Sequence, residues 1–268
     1  MNQKGSYNVS SMTKREEELA RLRTQAEQLY PMESKLLKEW CGLKSHHRVL
    51  EVGCGPGFLT PLLCELASEG SVTACDTSSE LLTLCQNQNI KKPKLGFQTI
   101  LSVGDTLPLE NKSQDFSYLR FVLQHVPEKM ILLKDIERCI ADDGKICILD
   151  SDDGLRLQYP EDKFVNNLIR DAQKAQTERG GDRFIGRKVG GYLQELGFQE
   201  IQTRVLNFTN SDLPFPILAR ISLGFKADLC GRKDELENWI QEMLPNAKNG
   251  KYFLSAGVIL TVAKKGKL

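Results

Sequence analysis

The stretch Val49-Leu50-Glu51-Val52-Gly53-Cys54-Gly55-Pro56-Gly57-Phe58-Leu59-Thr60 constrains this chain more than any other. A short apolar run ends in three glycines at alternate positions, and helical spacing follows. Glycine lets backbone come close to a ligand, and the first N–H groups of a following helix point at it. Strand, glycine turn and helix open a doubly wound α/β sheet, whose ligands sit at the carboxyl ends of the strands. The glycines alone are also explained by a tight turn. The dinucleotide fingerprint G-x-G-x-x-G needs glycine at 58, where Phe58 stands, and this disfavours a nicotinamide-dependent dehydrogenase. Glu51, at the strand end, is the wrong charge for a pyrophosphate and suits a ligand with an ammonium group.

The rhythm around this loop predicts strands at 48–52, 71–76, 97–103, 116–123 and 145–150. Helices are predicted at 58–68, 79–89 and 127–140, and Ala141-Asp-Asp-Gly144 reads as a turn. Such alternation means right-handed crossovers and a mostly parallel sheet. Ahead of it, Leu19, Leu22, Ala26 and Leu29 mark a helix over 13–30, and Pro31 restarts the chain into a second one. After Asp150 the alternation breaks. Helices are expected at 159–179, 185–196 and 234–244, an apolar segment at 214–230, and strands at 199–208 and 252–263. The expected fold is therefore a seven-stranded, doubly wound α/β sheet, mostly parallel with an antiparallel last strand, plus helical additions. The expected organisation is a flexible N-terminus (1–12) and a single domain over 13–268. That domain comprises N-terminal helices (13–44), a ligand-binding core (45–152) and additions at 154–180 and 210–248 that suit a lid or a substrate pocket.

Charge and composition exclude other classes. Lys and Arg number 36 against 35 Asp and Glu, a net charge of +1, with no basic block beyond the tail Lys264-Lys265-Gly266-Lys267. Nucleic-acid binders carry a basic excess, so no nucleic-acid partner is expected. The longest nearly apolar run, 252–263, is short of the ~20 residues of a membrane span, and no membrane association is expected. The N-terminus lacks the apolar core of a signal peptide, which predicts a cytoplasmic protein whose eight cysteines stay reduced. They include no Cys-x-x-Cys pair, and no metal is expected.

Residues 49–57 resemble motif I of the class I S-adenosylmethionine-dependent methyltransferases, and the later motifs follow in order. Asp76 ends the second strand, where the family places an acid for the ribose hydroxyls. Gly104-Asp105 ends the third, where a family acid touches the adenine amino group. Residues 113–127 resemble the fourth strand and the loop past the methyl donor, and 138–149 resemble the approach to the fifth, with Ala-Asp-Asp-Gly where Pro-Gly-Gly is usual. Beyond about residue 152 the likeness is looser, though Phe184-Ile-Gly-Arg187 and Leu196-Gly-Phe198 resemble features of small-molecule members. The resemblance implies S-adenosyl-L-methionine as cofactor, held by Glu51, Gly53, Cys54, Gly55, Gly57, Asp76, Thr77, Gly104, Asp105 and Arg120.

Asp76 also fits a helix cap for the segment from Ser79, Asp105 a turn, and Asp115 a structural role. His125 is either a general base or a residue that holds its loop, and Asp152 is its candidate catalytic partner. Asp150, Asp152, Phe215 and Phe225 are candidate substrate contacts, although the 215–225 run also reads as core or as a dimer surface. Arg120 is alternatively a fork for a substrate carboxylate. The expected reaction is methyl transfer to O, N or C of a small-molecule or natural-product acceptor. The competing readings are a protein or peptide methyltransferase and a cofactor-binding regulatory subunit without catalysis. Leu119-Arg-Phe-Val stands where an Asn-Pro-Pro-Tyr type motif would mark methylation of nucleic-acid bases.

Overall fold

The computed structural model describes residues 15–90, 96–102 and 106–266. The segment 1–12 and the candidates Gly104 and Asp105 lie outside them. In chain order the elements are α1 (Arg15–Glu39), β1 (Arg48–Val52), α2 (Thr60–Leu66), β2 (Ser71–Asp76), α3 (Ser79–Ile90), β3 (Phe97–Leu101), β4 (Gln114–Arg120), α4 (Lys129–Cys139) and β5 (Ile140–Ser151). There follow β6 (Gln158–Tyr159), α5 (Lys163–Thr177), α6 (Val189–Glu195), β7 (Gln199–Thr209), α7 (Phe215–Leu229), α8 (Lys233–Lys248) and β8 (Phe253–Lys264).

The sheet runs β3-β2-β1-β4-β5-β8, with β7 on the far edge of β8. The first five strands are parallel to one another. β8 enters between β5 and β7 and is antiparallel to both, as expected of the last strand. The eighth strand, beyond the seven expected, is the two-residue β6, which pairs with Leu254 and Phe253 at the head of β8. Two residues carry no period, so the sequence pattern does not mark it. The turn expected at 141–144 is a bulge inside β5. The ladder steps from Gln114↔Ile140 to Phe116↔Lys145, and Asp143 takes a φ of 65°.

Strand residues alternate between two cores, as the pleat requires. Val49, Phe116, Tyr118 and Cys147 pack with Leu37 of α1 and Leu62 and Leu63 of α2. Leu50, Val52, Ile146 and Ile148 pack on the other face with Ile136 of α4 and Leu193 of α6. A third core joins α5, α7 and α8 to the head of β8 through Leu168, Leu218, Trp239 and Tyr252. Asp162 ties this cap together. It accepts from the Val165 amide at the start of α5 and from Trp239 Nε1 of α8, at 3.1 and 2.7 Å. Both expected additions thus become one helical layer.

One expectation changes here. The N-terminal region is one continuous helix, with Pro31 inside α1 and not at a break. Proline removes one backbone bond, but α1 is anchored on both sides of it by buried Leu29 and Leu37 and by Glu33, which pairs with Arg120 of β4. The apolar 214–225 segment, expected as core, substrate contact or dimer surface, contributes Phe215, Leu218, Ala219, Leu223 and Phe225 to the chain's own core. Among the described residues no helix is long and apolar enough to cross a membrane.

Candidate active site

The carboxyl ends of β1, β2, β4 and β5 open into a cavity of about 1430 Å³, walled on its far side by α1 and α7. At the β1 end, Gly53, Gly55 and Gly57 all take positive φ, but for different reasons. A Cβ on Gly53 would lie 2.6 Å from Val122, and one on Gly57 would lie 2.7 Å from the backbone of Cys85. A Cβ on Gly55 would meet nothing within 4 Å. Gly55 is therefore the glycine whose bare face borders the open cavity, and the other two serve packing.

Glu51 lines the cavity, is 5% exposed, and accepts from Thr60 Oγ1 at 2.7 Å. Burial, with the nearby Cys85 thiol, pushes its carboxyl up to about 8, against the pull of Thr60 and Arg120. Its ionised form becomes favourable only when a cation approaches. Cys54 is buried, donates its amide to the Cys75 carbonyl at 3.0 Å, and also borders the cavity.

Asp76 accepts from the Gly55 amide at 2.8 Å and from the Ser78 amide at 2.9 Å. Burial raises its carboxyl, and these amides, with that of Thr77, oppose the rise. The cap of α3 is Ser78, whose Oγ accepts from the Leu81 amide, so the helix-cap alternative for Asp76 does not hold. Each carboxylate oxygen has a second lone pair, which leaves Asp76 capacity to accept from a ligand. Thr77 and Ser102 line the same end.

Arg120 borders the cavity, but its Nε donates to both oxygens of Glu33, at 2.8 and 3.1 Å. Tyr118 OH donates to the same carboxylate. The guanidinium is thus pinned between α1 and the floor of the site, within Coulombic reach of Glu51.

His125 lies in a short 3-10 turn over Leu123–His125. Its ring stands edge-on to Phe225 of α7, with centroids 5.1 Å apart. Burial, then Arg183 and Arg21, hold its pKa well below the usual imidazole range. Its tautomer follows from Gln176. That amide nitrogen donates to the Gln124 carbonyl at 2.7 Å, which fixes its orientation, and lies 3.3 Å from His125 Nδ1. Nδ1 is then the acceptor and Nε2 carries the proton.

The three acids after β5 have separate positions. Asp150 is fully buried, accepts from the Ser151 and Gln124 amides, and does not line the cavity. Burial pushes it up to about 7. It supports the turn that carries His125, and the expectation that it contacts substrate is corrected. Asp152 reaches the cavity wall, but Arg187 holds both its oxygens, Nε at 2.6 Å, and the Gly154 amide donates to Oδ1 at 2.9 Å. Its carboxylate is a loop anchor in this geometry. Asp153 is the acid inside the cationic part of the cavity. Arg183 reaches it at 2.9 and 3.1 Å and Lys226 at 3.2 Å. Burial would raise Asp153, but the two cations outweigh it and hold it below the usual carboxylate range.

Phe215 is not on the cavity wall. It packs with Trp239 and Tyr252 in the cap core, which corrects its assignment as a substrate contact. Asp115, read as structural, accepts from the Arg48 amide and guanidinium. Arg21, Gln176, Arg183 and Lys226 went unmarked in the sequence. Lys226 left one usable signal, as one of only two charges in the apolar run from Pro214 to Phe225 and its next residue.

Residues 50–148 match the family model described as a methyltransferase domain. An uncharacterized methyltransferase of Schizosaccharomyces pombe is 26% identical over 157 residues, 56% of this chain and 56% of that protein. A demethylmenaquinone methyltransferase of Lactobacillus johnsonii is 31% identical over 112 residues, 41% of this chain and 46% of that protein. The chain thus spans about half the length of the curated relatives it matches. Among solved structures, phosphoethanolamine N-methyltransferase 2 of Haemonchus contortus, in complex with S-adenosyl-L-methionine, superposes with a TM-score of 0.60. It is 17% identical and the match covers 89% of this chain and 53% of that one.

Residues 50–148 are thus similar to methyltransferase domains, and the strand order and glycine loop are those of the class I S-adenosylmethionine-dependent methyltransferase fold. The cradle suits S-adenosylmethionine. Glu51 is a buried acid for an ammonium group, Gly55 leaves open space, and Asp76 ends β2 with acceptor capacity to spare.

Proposed function

We propose that this chain transfers the methyl group of S-adenosylmethionine to an O, N or C atom of a small-molecule acceptor. The observation that carries the reading is the cavity of about 1430 Å³ that runs from Gly53 and Gly55 to α7. A drug-sized ligand occupies a site of ~300–1,000 Å³, so there is room for a second, small ligand beside the cofactor. The helices α1 and α7 wall the acceptor side, which favours a small molecule over a peptide chain. The demethylmenaquinone enzyme among the relatives bears the name of a small-molecule methyltransferase, which supports the same reading.

When bound, the cofactor supplies a methyl group on a sulfonium, a good leaving group. The work left to the chain is to hold the acceptor in line and exclude water. In this reading Glu51, Gly55 and Asp76 hold the cofactor, with Thr77 and Cys54 beside them. Phe225 and His125 border the acceptor. His125, its pKa held low by burial and by Arg183 and Arg21, stands neutral beside the acceptor. All eight cysteines are free thiols, which fits a reaction in the reducing cytosol.

The test is formation of S-adenosylhomocysteine from S-adenosylmethionine by the purified chain across a panel of small hydroxy, amino and activated-methylene compounds. Turnover that depends on one acceptor class supports the proposal. Tight cofactor binding with turnover only on peptides, or with none on any acceptor class, would overturn it.

A further inference from the structure

The far end of the cavity has more buried positive charge than its own acids balance. Arg21 is matched by Glu18, which it meets at 2.7 Å. Arg183 and Lys226, by contrast, share the single carboxylate Asp153. All three side chains are at most 8% exposed. Of the other acids on this wall, Asp152 is taken by Arg187 and Asp228 by Lys233. Arg156 adds another positive charge, within Coulombic reach of Asp153 and of Asp162. Arg179 also lines the wall.

One donor on this wall is left over. Lys226 Nζ has three N–H groups and gives two of them, to the Ser222 carbonyl at 2.7 Å and to Asp153. Arg156 Nε is enclosed by the protein and out of a cavity ligand's reach, and its Nη2 donates to Asn166, so Arg156 acts here through its charge. A buried, unpartnered donor is costly, and a second cation on one carboxylate repels the first. An anionic ligand relieves both. The rest of this wall is apolar, formed by Leu22, Leu213, Leu218, Ile221 and Val258.

We propose that the acceptor is a carboxylic acid on an apolar skeleton, its carboxylate received by Lys226 Nζ at the α7 end of the cavity, in the positive field of Arg183 and Arg156. A carboxylate there would balance the excess positive charge of Arg183 and Lys226 over Asp153. As an identification of the acceptor this rests on the methyltransferase reading above, but the anion site itself is testable without turnover.

The experiment is thermal unfolding of the full chain with and without S-adenosylhomocysteine, titrated with phenylacetate, its neutral analogue phenylacetamide, or inorganic phosphate at matched ionic strength. Phenylacetate should raise the wild-type midpoint saturably and phenylacetamide should not. Lys226→Met should weaken the phenylacetate response at least tenfold in apparent affinity. That variant leaves Asp153 and Arg183 as a balanced pair, so it should fold, and Arg156→Gln provides a second, independent loss. Equal responses to acid and amide, an unchanged response in both variants, or stabilisation by phosphate alone would overturn the proposal. A wild-type chain that responds to phenylacetate but not to S-adenosylhomocysteine would sink the methyltransferase reading while leaving the anion site standing.

Discussion

The Gly55 amide donates to Asp76 Oδ2 at 2.8 Å, so the acid at the end of β2 is a strut of the glycine loop as well as part of its wall. In the proposed reading, cofactor affinity and loop stability are coupled through this one side chain.

Asp76→Ala should lower both. An amide left without its partner costs about 1–3 kcal/mol, so the cofactor-free variant should unfold at lower urea than wild type. Charge-assisted bonds to a ligand are worth about 1.5–3 kcal/mol each, so S-adenosylhomocysteine affinity should fall at least about tenfold. Titration calorimetry beside urea unfolding reads both. Lost affinity with wild-type stability would mean that the strut carries no weight.

Gly55→Ala and Gly57→Ala should fail in different ways. Both positions have positive φ, 54° and 76°, a conformation that costs a residue with a Cβ about 1–2 kcal/mol. At 57 the new Cβ also meets Cys85 backbone at 2.7 Å, so that variant should be much less stable. At 55 it enters open space, so the protein should stay folded and lose cofactor affinity. Equal stability in the two variants would contradict the division of labour among the glycines.

Glu51 makes the stability of the empty protein pH-dependent. Its folded value of about 8 lies above the ~4.3 of an unfolded glutamate, so the folded state binds the extra proton between these values. The contribution is fully present below about pH 4 and is lost as pH rises through 8. Glu51→Gln should flatten the decline between about pH 4.3 and 8. Because an ammonium ligand favours the ionised carboxylate, S-adenosylhomocysteine binding near neutral pH should release a proton, read as a calorimetric enthalpy that changes with buffer. A Glu51→Gln variant with the wild-type pH slope would remove this account of the residue.

Asp152→Asn and Arg187→Gln should resemble each other. The Asp152 side chain is fully buried and Arg187 is about half exposed, at 53%, so either change breaks the anchor of the loop after β5. Both variants should lose stability, and turnover should fall by similar factors. A loss of turnover confined to Asp152→Asn, with normal stability, would restore Asp152 as a group that acts on the acceptor.

The sheet order was legible because each strand and helix of residues 48–151 carries its own period, and the glycine loop anchors their register. The cavity positions of Glu51, Gly55 and Asp76 were legible for the same reason: they lie at strand ends, where sequence position alone places them near the crevice. The acceptor end was not. It is assembled from α1, the turn after β5, residue 183 and α7, which are distant in sequence and meet only through tertiary packing. Asp150, Asp152 and Asp153 are almost adjacent in the chain, yet one supports a turn, one anchors a loop and one balances two cations. Pro31 misled because helix-breaking is a local rule, and the buried partners of α1 override it. Phe215 and Phe225 read alike in sequence, but they lie 10 positions apart on α7 and only Phe225 faces the cavity.

The measurement that bears most directly on the central claim is titration calorimetry of S-adenosylhomocysteine into the wild-type chain and into Gly55→Val, without added metal. The account predicts binding of one ligand per chain to the wild type and none to the variant, whose branched side chain fills the space above the loop. Absence of binding to the wild type, or undiminished affinity in Gly55→Val, would contradict it.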